Sequence, residues 1–140
     1  MVSRLFLYLK VMRLVWMVDR KLKSYGFRAV YMDCFAKDKR LAPVRDLSKD
    51  EIDYIQKVLL IIDKVCFYFT GNARCLHRSV VGFHLFRSKN IPIDLVIGVS
   101  KKPFMSHAWL EYRNHVVNDS PDLIKTLTVQ LHTKSIRKAG

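Results

Sequence analysis

Apolar residues recur along this chain with two periods, and the change from one to the other divides it. From Leu5 to Val18 apolar positions dominate, with Leu5, Leu9, Met12 and Trp16 at helical spacing and Lys10, Arg13, Arg20 and Lys21 falling on about one face. The spacing predicts an N-terminal helix with a basic stripe. Charge and Pro43 break the pattern between Lys37 and Lys49. Ser48 and Glu51 then form a capping box, which opens a core helix with Ile52, Ile55, Leu59, Ile62 and Cys66 one above another. Thr70, Gly71 and Asn72 supply a turn and an N-cap for a further helix, from about Ala73 to Ser88, carrying Leu76, Val80 and Phe83; Asn90 and Pro92 end it.

After Pro92 the period falls to two. Ile93, Leu95, Ile97 and Val99 alternate as a strand, Lys101 to Phe104 reads as a loop, and residues 107–112 and about 115–119 read as a hairpin. Helices followed by strands, with no internal repeat, predict an α+β fold in which N-terminal helices pack on a small antiparallel sheet. Two regions are expected: a basic helical segment over 1–50, serving partner docking or packing, and a core over 51–140.

Composition narrows the classes. The 140 residues hold 25 Lys and Arg against 12 Asp and Glu, a formal charge of +13, with half the residues apolar. One core can form at this length, which excludes a multidomain enzyme with a separate cofactor domain. The first 50 residues carry 12 basic and 5 acidic side chains, over half of the excess. Such charge admits a nucleic-acid-binding domain. No motif of that class is present, and the basic residues are spread rather than blocked, so an acidic peptide or protein partner explains them as well. Three cysteines cannot all pair and no C-x-x-C spacing exists, which fits a reducing cytoplasm. Lys10 and Arg13 interrupt the Leu5–Val18 segment and no small-residue cleavage site follows, so neither a signal peptide nor a membrane span is expected. Whether that helix touches a partner or a membrane surface is left open by the pattern.

The candidate chemistry starts at Cys75. With Asn72 as N-cap, its sulfur sits in the first turn of a helix, beside free backbone N–H groups and near Arg74, His77 and Arg78. Such surroundings draw a thiol from about 8.5 toward roughly 3.5–7.5. Cys66 lies on an apolar face and Cys34 has no evident partner, so both read as structural. His107 opens a strand and Asp119 closes the next, giving the order Cys, His, Asp at separations of 32 and 12 residues. An imidazole can form the ion pair with a thiolate and then protonate a leaving amine, and a carboxylate can fix its tautomer. Singly, His107 could be a core histidine and Asp119, with Ser120 and Pro121, a turn. A zinc site drawn from Cys75, His77, His84, His107, His115 and His132 lacks ligand spacing. His77, His84 and His132 therefore read as ordinary helix or surface positions and His115 as part of the hairpin. No metal and no cofactor is expected.

The run Arg74-Cys75-Leu76-His77-Arg78-Ser79, the strand Leu95-Val96-Ile97-Gly98-Val99, then Pro103-Phe104, Ser106-His107-Ala108-Trp109-Leu110-Glu111 and Val116-Val117-Asn118-Asp119 resemble the leader peptidases of lasso-peptide biosynthesis, transglutaminase-like cysteine proteases. The resemblance spans residues of about 70 to 120. It implies a papain-like catalytic core and a bacterial enzyme that removes the leader from a ribosomally made precursor before a separate lasso cyclase closes the ring. It also implies the roles of nucleophile, base and orienter for Cys75, His107 and Asp119. The 74 residues before Cys75 read as helices and loops rather than a winged-helix-like module, which points to a separate small leader-recognition protein, docked on the basic N-terminal region. Another acyl transfer by the same triad stays open, because such folds run both chemistries.

Strand parity bears on the third residue. A two-residue loop, Arg113 and Asn114, would put Asn118 on the face of His107 and Trp109. A three-residue loop from Arg113 to His115, or a bulge, would put Asp119 there. The longer loop is expected, because Asn114 or His115 tolerates left-handed backbone and the resembled family places the acid at this point.

Overall fold

The computed structural model describes residues 3–35, 41–70, 75–101 and 104–135. Three helices, α1 (Arg4–Cys34), α2 (Lys49–Thr70) and α3 (Cys75–Ser88), precede β1 (Asp94–Lys101), β2 (Phe104–Tyr112), β3 (His115–Val116), the short α4 (Pro121–Ile124), β4 (Thr128–His132) and a 3₁₀ turn at Thr133–Ser135. The α+β expectation holds.

Helix α1 begins where Ser3 Oγ accepts the Phe6 N–H at 3.1 Å. It kinks at Gly26, whose φ of 83° and ψ of 177° no side-chain-bearing residue adopts without strain. Its buried stripe is Leu7, Val11, Val15 and Val18. The expected stripe of Leu5, Leu9, Met12 and Trp16 instead faces outward, at 69 %, 56 %, 38 % and 49 % exposure. The helix is apolar on two sides, and the more compact valine-rich side is the one that lies against α2 and α3.

The capping box on α2 forms as predicted: the Glu51 N–H donates to Ser48 Oγ at 3.1 Å and the Ser48 N–H to Glu51 Oε1 at 3.0 Å. Arg45 grips the same carboxylate with two bonds of 2.8 and 2.7 Å and donates to the Asn90 carbonyl at 3.0 Å. Tyr112 Oη closes the stitch on the Arg45 carbonyl at 2.6 Å. Ile55, Ile62 and Cys66 are buried, Leu59 partly so, and Ile52 at the helix start remains exposed.

Helix α3 is the central element, packed against α1, α2, β1 and β2. Burial therefore runs nearly all round it, from His77 through Phe83 to Phe86, rather than along the stripe of Leu76, Val80 and Phe83. Asn90, at φ 58°, ends it in left-handed backbone. The sheet order is β3-β2-β1-β4, each pair antiparallel. Leu95 and Ile97 of β1 with their partners Leu110 and Ala108 of β2 belong to the helix-side core. By alternation Asp94, Val96, Gly98, His107, Trp109 and Glu111 share the other face. Strand β2 starts at Phe104, earlier than expected, and β3 is far shorter than residues 115–119. The tip residues 102 and 103 of the expected loop lie outside the described residues. Among the described residues no helix is long and apolar enough to cross a membrane.

Candidate active site

The site is built on an edge that β3 leaves open. Arg113 (φ 49°) and Asn114 (φ 66°) make a two-residue turn that pairs Tyr112 with His115 and Glu111 with Val116. Two adjacent left-handed residues match the primed turn whose twist suits a hairpin, so the expected three-residue loop is wrong. The Val117 N–H still reaches the Leu110 carbonyl at 2.9 Å. There the ladder stops, because the Leu110 N–H goes to the side-chain Oδ1 of Asn118 at 2.8 Å. Beyond Leu110, alternation leaves the N–H and C=O of Ala108 pointing off the same edge.

Those two groups are met by α3. Ser79 Oγ donates to the Ala108 carbonyl at 3.0 Å, and the Ala108 N–H donates to the sulfur of Cys75. Asn118 Nδ2 donates in turn to Ser79 Oγ at 3.1 Å. Buried backbone groups require partners, and here the start of α3 supplies what a longer β3 would have supplied. The helix is thereby fixed with Cys75, half-buried, against His107.

His107 hydrogen-bonds the Cys75 thiol, and its Nε2 lies 2.5 Å from Asp119 Oδ2. Asp119 Oδ1 accepts the N–H of Ser120 at 2.8 Å, which holds the carboxylate facing the ring. With the ladder ended at Asn118, strand parity no longer governs position 119. The structure thus brings Cys75, His107 and Asp119 together, by a route other than the expected loop. Burial pushes the Cys75 thiol up, but the His107 hydrogen bond, the Ala108 N–H and the charges of His107 and Arg78 outweigh it, so the thiol ends below its ordinary value. The bond to Cys75 raises His107 to about 9, against burial and with help from Asp119. Burial raises Asp119 less than His107, the Ser120 N–H and Arg78 lower it. The three favour a thiolate–imidazolium pair with an ionised acid behind it.

Arg78 locks the surroundings. It donates to the Asn118 carbonyl at 2.7 Å, and its Nε lies 3.1 Å from Asp63 Oδ1 of α2. Arg74 and the proposed N-cap Asn72 lie outside the described residues. The other histidines correct the sequence reading in part. His77 is fully buried rather than a surface position, its Nε2 2.9 Å from Asp19 Oδ1, tying α3 to α1. His84 Nε2 stands 3.8 Å from Cys34 Sγ, so Cys34 does have a neighbour. His132 is on β4, bonded to Glu111 at 3.0 Å. Cys66 is buried, and that burial pushes its thiol up to about 11. In the sequence Ser79 stands out only within a motif, Trp109 within a motif and as a marker of the His107 face, and Asn118 within a motif and as the alternative to Asp119. The signal for Asn118 was an amide placed where a strand must stop. No described group of three His, Cys, Asp or Glu residues is arranged to hold a metal.

A family model described as "Transglutaminase-like superfamily" matches residues 14–132. The chain is 30 % identical over 127 residues to the Microcin J25-processing protein McjB of Escherichia coli, an alignment covering 91 % of this chain and 56 % of that protein. It therefore spans little more than half the length of this curated relative. No solved structure matches it. A helix-borne cysteine, a strand-borne histidine and a following aspartate, on a chain matched from its first helix to its last strand, make this protein a member of the transglutaminase-like superfamily.

Proposed function

We propose that the chain is a cysteine peptidase that removes the leader from a ribosomally synthesised lasso-peptide precursor. The hydrogen-bonded series from Cys75 through His107 to Asp119 supports the chemistry, and the 30 % identity to the Microcin J25-processing protein supports the substrate. The Cys75 thiolate attacks the carbonyl of the last leader residue, forming a C–S bond. The peptide C–N bond breaks as the His107 imidazolium gives its proton to the leaving amine. His107 then takes a proton from water, whose oxygen displaces the sulfur and releases the leader as a carboxylate. Asp119 holds the ring so that one nitrogen faces the sulfur and stabilises its charged form. The backbone N–H of Cys75, at the helix start, supports the oxyanion, a kind of contact worth about 3–4 kcal/mol in the transition state.

Leader capture belongs to a separate small recognition protein, which presents the scissile bond and leaves the core peptide to a cyclase. The outward face of α1, where exposed Leu5, Leu9, Met12 and Trp16 stand among Arg13 and Arg20, supports a docking role for this helix. Remote binding energy would then position the scissile bond. The test is incubation of the chain with the precursor encoded beside it, with and without the small recognition protein, and weighing of the products. A free leader carboxylate, with an apparent KM lowered strongly by the partner, supports the reading. Equal rates without the partner would show that this chain captures the leader itself. Transfer of the leader to an added amine would mark an acyltransferase, and no covalent change a binder.

A further inference from the structure

The face of the sheet that carries His107 holds a buried polar series that the mechanism above does not use. Trp109, fully buried, stacks beside His107 with ring centroids 6.2 Å apart and planes 25° apart. Its Nε1–H donates to Glu111 Oε2 at 2.7 Å. The other oxygen of Glu111, Oε1, lies 3.0 Å from His132 Nε2 on β4. Glu111 is only 9 % exposed, and a carboxylate so placed costs stability unless its oxygens are bonded. Both are, one to the indole and one to β4. An apolar residue would fill the space, but only an acceptor fixes the rotation of the indole.

The opposite end of the indole is fixed by shape. Gly98 is the register partner of His107, and a Cβ there would stand 2.6 Å from Trp109 Cη2 and 3.1 Å from the Thr128 carbonyl. The ring therefore lies against bare backbone at one end and a carboxylate at the other. His107 rests beside it with its two nitrogens committed to Cys75 and Asp119.

We propose that Glu111 and His132 are positioning residues for the reaction, setting the plane of the His107 imidazole through the indole of Trp109. Strand β4 is then part of the catalytic apparatus without touching substrate. This role presupposes that Cys75 and His107 are the reacting pair, and a substrate-free experiment separates the two. The full chain is treated with iodoacetamide from about pH 5 to about pH 9, and alkylation of the Cys75 peptide is timed by mass spectrometry.

In the wild type Cys75 should react at a pH below the ordinary thiol range. Glu111→Ala should move the midpoint up by about one pH unit, an about tenfold slower reaction on the acid side. Glu111→Gln, whose amide oxygen still accepts the indole N–H, should restore most of it, and His132→Ala should move it the same way by less. A packing role alone would change the melting temperature and leave the midpoint in place. A folded Glu111→Ala with the wild-type profile, or a Gln variant no better than Ala, overturns the role. If Glu111→Ala does not fold, Trp109→Phe, which keeps a ring and loses the donor, and Gly98→Ala, which crowds the indole, decide it. Wild-type midpoints in both overturn the role. Ordinary thiol behaviour of wild-type Cys75 overturns the ion pair itself, and the role with it.

Discussion

The side-chain amide of Asn118 stands where the next backbone carbonyl of β3 would stand, taking the N–H of Leu110 at 2.8 Å. One residue later the chain is released from strand alternation, and Asp119 meets His107. The two neighbours should therefore fail differently. Asn118→Ala leaves a part-buried N–H without its acceptor and should cost about 1–3 kcal/mol of stability, read by thermal or urea unfolding. Asp119→Ala should lose the stability that its pairing with His107 supplies and, unlike Asn118→Ala, lower kcat by about three to four orders of magnitude. The reverse pattern would reassign the orienter to Asn118.

Cys75→Ala should abolish leader cleavage, whereas Cys34→Ala and Cys66→Ala should retain it per folded molecule. Burial holds the Cys66 thiol near 11, and so mostly protonated at neutral pH. Its loss should appear as a small cavity and about 1 kcal/mol of stability. Full cleavage by Cys75→Ala would end the mechanism.

The rate should be bell-shaped in pH. Protonation of Cys75 limits it on the acid side, at a pH below the usual thiol range, and deprotonation of His107 limits it on the alkaline side, near 9. The same raised value contributes stability. Because His107 is higher in the folded chain than its ordinary 6.5, that contribution is complete below 6.5 and fades as pH rises through about 9. Asp119 works in the opposite sense: its lowered value gives stability that is lost as pH falls through the carboxylate range. A kcat/KM profile without an alkaline limb would contradict the ion pair.

Arg78 reaches both Asp63 and the Asn118 carbonyl, so its charge alone should not suffice. Arg78→Lys keeps one positive charge but loses the planar guanidinium that donates to the Asn118 carbonyl while lying beside the Asp63 carboxylate. It should lower kcat, while Arg78→Met, which removes the charge, should also raise the pH at which Cys75 ionises, since the charge of Arg78 favours the thiolate. An unchanged acid limb in Arg78→Met would remove Arg78 from the electrostatics of the site.

Much of this is legible in the sequence, for identifiable reasons. The Ser48–Glu51 capping box is a local pattern with local bonds, and it formed as read. The order of the first three helices and three strands is legible from period, caps and turn residues, whereas α4 and β4 have no counterpart in that reading. The buried face of α1 was not legible, because a helix apolar on two sides does not say which side its neighbours will choose. Nor was the burial of His77, whose partner Asp19 is 58 residues away. The hairpin was read through alternation, which assumes that backbone always pairs with backbone. The side chain of Asn118 breaks that assumption, so the acid arrived at His107 although the turn has two residues and not three.

The brevity of β3 has a cost that lies outside chemistry. A strand edge with free N–H and C=O groups is a template on which another chain can add, the first step toward aggregates. Here Cys75 and Ser79 occupy that edge at Ala108, so the atoms that prepare the site also close it to a neighbouring molecule. Ser79→Ala should accordingly form higher-order species faster than the wild type when both are held a few degrees below melting, as followed by light scattering. The same few atoms thereby serve both the site and the edge of the sheet.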